Sequence, residues 1–188
     1  MGIDGQRHAI PPTLLISSIG VMKDVAEAVT MDLKEAGNSL YLVGKFAPTF
    51  GGSHFSMITS QSINDPVPSV DEITPQVYKT LHQAIKAKLI RSCHDLSEGG
   101  LAIAAAEMCI GGRLGVNLTL ESSARILFGE TTGCLLVEVN PVNVSVFESN
   151  FKALPFTKIG QVTSDPVLKF SDNPILVSDL VIAFNPPA

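Results

Sequence analysis

Ser92-Cys93-His94-Asp95-Leu96-Ser97-Glu98-Gly99-Gly100-Leu101 joins two patterns with no linker between them. A short apolar run over 88–93 leads in, and the alanine-rich residues 101–110 carry straight on. The order reads as strand, turn and helix N-terminus. A histidine, two carboxylates, a serine and a glycine pair fall within residues 94–100. The helix that follows is apolar nearly all round, with Glu107 as its one acid, so it is expected to be buried. Gly111-Gly112 reads as its stop.

Outward from that stretch, strand and helix patterns interleave. Toward the N-terminus, Val77, Leu81, Ile85 and Leu89 recur every four residues, which predicts an amphipathic helix over 75–89. Thr74 is its expected N-cap and Pro75 its first residue. Residues 64–69 carry Pro66 and Pro68 and are expected to be a loop. Residues 39–44 read as a short buried strand, 33–38 as a turn broken at Gly37-Asn38, 23–28 as a helical turn, and 13–20 as a first strand. Residues 1–12 read as a linker or a trimmed end.

Toward the C-terminus, 116–120 alternates as a strand, 122–128 reads as a short helix and 133–139 as a buried strand. A helix opening at Pro141 should place Val142, Val146, Phe147 and Phe151 on its apolar side. Strands are expected over 156–162, 166–170 and 175–179, with a last helix over 178–184. The fold class is therefore α+β: a mixed β-sheet covered by helices.

Composition narrows the function. The 188 residues are 45% hydrophobic and only 16% charged, against roughly 25% charged in an average soluble domain. So little charge suits a domain that buries surface against a partner subunit or the rest of a longer polypeptide. The net charge of −5, the absence of Trp and the lack of a basic run argue against a nucleic-acid partner. No apolar run approaches the ~20 residues of a membrane span, and no signal-peptide pattern opens the chain, so a cytoplasmic protein with no membrane partner is expected. Cys93, Cys109 and Cys134 form no C-x-x-C and are expected to be reduced, with a catalytic thiol as the minor alternative.

Three glycine-bearing loops are candidate sites. In the first, Asp95 to Gly100, Gly99 and Gly100 open the backbone to a ligand and the helix N-terminus favours an anion. The plain alternative is a helix start, with Ser97 as N-cap, Glu98 favoured by the dipole and the glycines for close packing. The second, Gly51-Gly52-Ser53-His54, has the composition of an anion nest or of a simple loop. Ser53 beside His54 invites a nucleophile–base reading, but no G-x-S-x-G elbow is present. The third is Gly129-Glu130-Thr131-Thr132-Gly133. His8, His54, His82 and His94 show no metal-ligand spacing. His82 should face outward, and His94 should hydrogen-bond near its strand end.

Taken together, His94-Asp95-Leu96-Ser97-Glu98-Gly99-Gly100-Leu101, the alanine-rich helix with Glu107, and Leu127-Phe128-Gly129-Glu130 resemble a known family. It is the second-half C-terminal domain of phosphoribosylformylglycinamidine synthase, in the superfamily of aminoimidazole ribonucleotide synthase, selenophosphate synthetase and a hydrogenase maturation protein. The resemblance extends to Pro12-Thr13, Gly20-Val21, Asp24-Val25, Tyr41-Leu42-Val43-Gly44, Gly51-Gly52-Ser53 and Lys158-Ile159-Gly160-Gln161-Val162, and so covers roughly residues 10 to 180. The chain departs from the family where an acid and an aromatic usually follow Gly-Gly-Ser, here His54 and Phe55. It departs again where Thr131-Thr132-Gly133-Cys134 replaces a Ser/Gln-rich continuation.

The resemblance implies an AIR synthase C-terminal-domain-like fold over 13–188, as a fragment of a longer enzyme and inactive alone. It implies an ATP-dependent C–N ligase of purine biosynthesis. The formamide oxygen of formylglycinamide ribonucleotide is activated by phosphoryl transfer, and glutamine-derived ammonia then displaces phosphate to give the amidine. ATP and Mg²⁺ would be held largely by a separate N-terminal ATP-binding domain. The other implied partners are the first-half domains of the parent chain and a glutaminase subunit or domain. Asp95, Ser97, Glu98, Gly99, Gly100, Gly51, Gly52 and Ser53 would line a substrate or phosphate cleft, with Gly129 and Glu130 as a second loop. No catalytic residue and no metal ligand is assigned to this chain. The alternatives are a non-catalytic binding or assembly module of the same fold, or a sister-branch ATP-dependent enzyme of the superfamily.

Overall fold

The computed structural model describes residues 14–59 and 64–186. The expected linker over 1–12 lies outside them. At the centre is a seven-stranded sheet in the order β2-β4-β1-β5-β3-β6-β7. Its strands are β1 (Ser39–Val43), β2 (Ile90–Asp95), β3 (Gly115–Leu118), β4 (Leu135–Val139), β5 (Phe156–Thr163), β6 (Val167–Phe170) and β7 (Asn173–Leu176). Pairing is antiparallel except between β3 and β6, which run parallel.

All five residues of β1 are buried because the sheet is covered on both faces there. Leu40 and Leu42 enter one core, with α3 (Gly100–Gly112), α4 (Ala124–Phe128) and α6 (Val177–Phe184). Tyr41 and Val43 enter the other, with α2 (Thr74–Lys86) and α5 (Val144–Phe151). β4 splits in the same way, Leu136 going to the α3 side and Val137 and Val139 to the α2 side. Toward β3 and β6 the sheet returns to alternation, with Val116, Leu118, Leu168 and Phe170 buried and Asn117 exposed.

One buried charge sits in this frame. Glu138 of β4 is fully buried, and its carboxylate accepts from the backbone N–H groups of Lys34 (2.9 Å) and Glu35 (3.1 Å), from Asn38 Nδ2 (2.6 Å) and from Ser92 Oγ (2.7 Å). The turn before β1 is thereby tied to the sheet.

α2 and α3 follow the expected periodicity, but their ends differ. α2 starts at Thr74, which is helical rather than capping, while the Asp71 carboxylate accepts from Ile73 N (3.0 Å). It stops at Lys86: Lys88 turns left-handed (φ 58), Lys88 N bonds Ile85 O and Leu89 N bonds Ala84 O. That is a Schellman cap built without glycine, so Leu89 packs in the core from beyond the helix. α3 runs through Gly111 and Gly112 and is capped at left-handed Arg113 (φ 56). The pair does not stop the helix. A Cβ on Gly112 would overlap the backbone of Leu33, so the glycine admits a close crossing.

Four other expectations are corrected. Residues 14–20 of the expected first strand pair with nothing among the described residues, and Leu14, Leu15, Ile16 and Ile19 are exposed. Residues 54–59, without a pattern in sequence, form α1 (His54–Thr59). Val142 lies in a short 3₁₀ turn and is exposed, and Val146 is half exposed, whereas Phe147 and Phe151 are buried. The expected strand over 175–179 is strand only to Leu176, because Val177 already begins α6.

Candidate functional site

The three glycine-bearing loops meet at one end of the sheet. β2 ends at Asp95, and Leu96 N donates to Cys134 O (3.0 Å), which fixes the exit of the chain. Gly99, with φ 80, holds the N-cap position of α3; Ser97 contributes its carbonyl, which accepts from Gly100 N (3.2 Å). The plain-cap role expected of Ser97 thus passes to Gly99. Gly100 has no room for a side chain, since a Cβ there would overlap the Gly129 carbonyl. That contact brings the first and third loops together.

Glu130 joins all three. Its Oε1 accepts from Gly99 N (3.0 Å) and from His54 N (2.9 Å), so one carboxylate closes the starts of both α3 and α1. Its backbone pairs with Thr49 in both directions (3.0 and 2.9 Å), which pins the third loop beside the second. The His54 ring stands 3.6 Å from the same oxygen. Ser53 is fully buried and its hydroxyl donates to Phe50 O (2.8 Å). That leaves it no role as a nucleophile toward a ligand. Asp65 steadies the second loop by accepting from Phe50 N (3.1 Å) and from Arg125 Nη1 (2.7 Å). The guanidinium beside it holds the Asp65 carboxyl below its ordinary range.

Beside this junction lies a cleft of about 330 Å³. It is lined by Asp95, Leu96, Ser97 and Glu98 from the first loop, by Glu130, Thr131, Thr132, Gly133 and Cys134 from the third, and by Tyr78 and Pro68. Of the sequence candidates, Asp95, Ser97, Glu98 and Glu130 are therefore together on the cleft. Gly99, Gly100, Gly129, Gly51, Gly52 and Ser53 shape the loops behind it and do not line it. Tyr78 and Cys134 escaped sequence reasoning. Tyr78 follows the buried Val77 on α2, so its side chain belongs to the next face of that helix. Its only local signal is an aromatic residue out of step with the apolar stripe.

The cleft is rich in acceptors. Three carboxylates and several hydroxyls line it, and among the described residues neither Lys nor Arg does. It suits hydrogen-bond donors and cationic groups, and an anion would need its countercharge from another surface. Burial pushes the Cys134 thiol up to about 11, and Cys93 and Cys109 up to about 12, so none is primed as a nucleophile. Burial also raises the Tyr78 hydroxyl, with Cys134, Asp95 and Cys93 adding to it. Among the described residues no group of three or more His, Cys, Asp and Glu is placed to hold a metal, and no helix is long and apolar enough to cross a membrane.

Comparison with known proteins places this geometry. The family model for the AIR synthase related protein, C-terminal domain, matches residues 35–173. The phosphoribosylformylglycinamidine synthase subunit PurL of Lactobacillus acidophilus is 38% identical over 165 residues, 87% of this chain and 22% of that protein. The same subunit of Lactobacillus helveticus is 38% identical over 162 residues, 85% of this chain and 21% of that protein. The chain thus spans about a fifth of the length of the curated relatives it matches. Among solved structures, T. maritima PurL complexed with FGAR superposes with a TM-score of 0.69 at 17% identity, covering 84% of this chain and 30% of that one. PurLQS from the same organism gives 0.63 at 17%, covering 84% and 28%. The E. coli hydrogenase maturation protein HypE gives 0.55 at 14%, covering 79% and 51%. At these identities the superpositions speak to the fold.

Proposed function

The chain belongs to the AIR synthase related protein, C-terminal domain, family, and from that membership we propose that residues 13–188 are one domain of a phosphoribosylformylglycinamidine synthase. The longer enzyme would convert formylglycinamide ribonucleotide to its amidine in the cytoplasm, using ATP and glutamine-derived ammonia. The observation that carries this reading is the sequence likeness to two curated PurL subunits, spread along most of the chain.

In this reading the cleft is one wall of a composite site. Asp95, Ser97, Glu98 and Glu130 offer acceptors to the hydroxyl and N–H groups of a ribonucleotide. The residues present do not fit the phosphates of ATP by themselves. Among the described residues neither Lys nor Arg lines the cleft, and the backbone donors at Gly99 and His54 are taken by Glu130. Phosphate charge and Mg²⁺ would be met by the nucleotide-binding domain that adjoins this one in the longer chain, and a glutaminase partner would supply ammonia.

A chimera tests the function. The matching segment of the L. acidophilus PurL is replaced by this chain and amidine formation is assayed. Retained activity supports the proposal; a folded chimera without activity would favour the non-catalytic binding module. The departure at Thr131 and Thr132 motivates that second reading, since both line the cleft. Calorimetric titration of the chimera tests the cleft. Asp95→Ala and Ser97→Ala should weaken substrate binding about tenfold each, from one lost hydrogen bond. Unchanged binding would remove the cleft from the site.

A further inference from the structure

Behind the cleft stands a histidine that the proposed function does not use. His94 is the penultimate residue of β2, and its side chain is 12% exposed. Its Nε2 lies 2.8 Å from Glu107 Oε2, and its Nδ1 lies 3.4 Å from Asp95 Oδ1. Glu107 comes from the middle of α3 and Asp95 from the next position on the strand. These two carboxylates are the charged groups placed against the ring. The Asp95 side chain is 67% exposed and lines the cleft, so it is the open end of the row.

The chemistry of the row is directional. A carboxylate only accepts, so the Glu107 contact requires a proton on Nε2. A bare Nδ1 would then set a lone pair against the Asp95 oxygen, whereas a protonated Nδ1 attracts it. We propose that His94 is a positioning residue: anchored by Glu107, its ring holds the Asp95 carboxylate where a ligand in the cleft meets it. This rests on reading the cleft as a binding site. Glu107 is not among the residues that line the cleft, so its effect would pass through the ring.

The test has two parts. In the 188-residue chain, the carboxyl carbon of Asp95 is followed by NMR. Its signal should move in His94→Gln and in Glu107→Ala, and it should return toward the wild-type position in Glu107→Gln, which keeps an acceptor for Nε2. His82→Gln, at an exposed histidine of α2, should leave it in place. An Asp95 signal that is the same in the wild type and Glu107→Ala overturns the proposal, and that variant decides the matter where His94→Gln does not fold. In the chimera, Glu107→Ala should raise the KM for the ribonucleotide about tenfold while kcat changes less, with rescue by Glu107→Gln. An unchanged KM beside a moved Asp95 signal also overturns it. If the unsubstituted chimera makes no amidine, the proposed function fails, and the NMR comparison alone judges the positioning of Asp95.

Discussion

The carboxylate of Glu130 accepts the backbone N–H of Gly99, so the first turn of α3 is closed by a side chain 31 residues further along the chain. The same oxygen takes His54 N, 76 residues before it. Glu130→Ala should therefore cost about 2–4 kcal/mol, because it strands two donors that now bond to a charge. Glu130→Gln keeps an acceptor and should cost about 1 kcal/mol or less. Urea unfolding of the two variants measures the difference; equal losses would mean that the carboxylate is not the link between the loops.

Glu138 presents the same logic inside the sheet. Four donors converge on it, two from the backbone of the turn before β1, one from Asn38 and one from Ser92. Glu138→Ala should destabilise by about 3–5 kcal/mol, since the donors lose their acceptor away from water. Hydrogen exchange should show Lys34 and Glu35 amides losing protection before the rest of the sheet. Protection that survives at those two amides would refute the anchoring role.

The thiols offer a chemical check on burial. Cys134 is pushed up to about 11 and Cys93 to about 12. At a pH near 8.5, roughly the midpoint of a free thiol, the native chain should react slowly with a disulfide reagent, and the urea-unfolded chain rapidly. Fast native labelling at Cys134 would show the cleft wall to be open.

Acid should find the second loop. The Arg125 hydrogen bond lowers the Asp65 carboxyl below its ordinary 3.8. A depressed folded value gives stability that is fully present above the unfolded value and is lost as pH falls through the folded one. Asp65→Asn should therefore flatten part of the acid limb of a melting-temperature profile below that point and leave its shape unchanged above it. Asp32 and Asp71, lowered by Lys34 and Lys45, act in the same window, so the limb should not vanish.

Periodic stretches were legible and relationships across distance were not. The stripe of Val77 and Leu81 and the apolar run from Leu101 gave α2 and α3 from sequence, because burial selects residue types at fixed spacing. Residues 14–20 have strand-like composition, yet a strand needs a neighbour, and composition does not carry that information. α1 has no buried residue and so leaves no pattern to read. In the site, Asp95, Ser97 and Glu98 were visible as a cluster. The hub was not: Glu130 looked like one polar residue in a turn, since its two acceptor bonds reach across loops far apart in the chain.

The strand order also sets the timetable of folding. β1 is flanked by β4 and β5, so Ser39 waits for Val139 on one side and Gln161 on the other. Its five buried residues leave the ribosome before β4 and β5 do, and have no sheet to join until those strands have followed. Such non-local pairing places refolding in the slow regime of milliseconds to seconds. On the ribosome, the hydrophobic β1 stays uncovered through the synthesis of α2, β2 and α3, the interval in which a nascent chain most needs a chaperone.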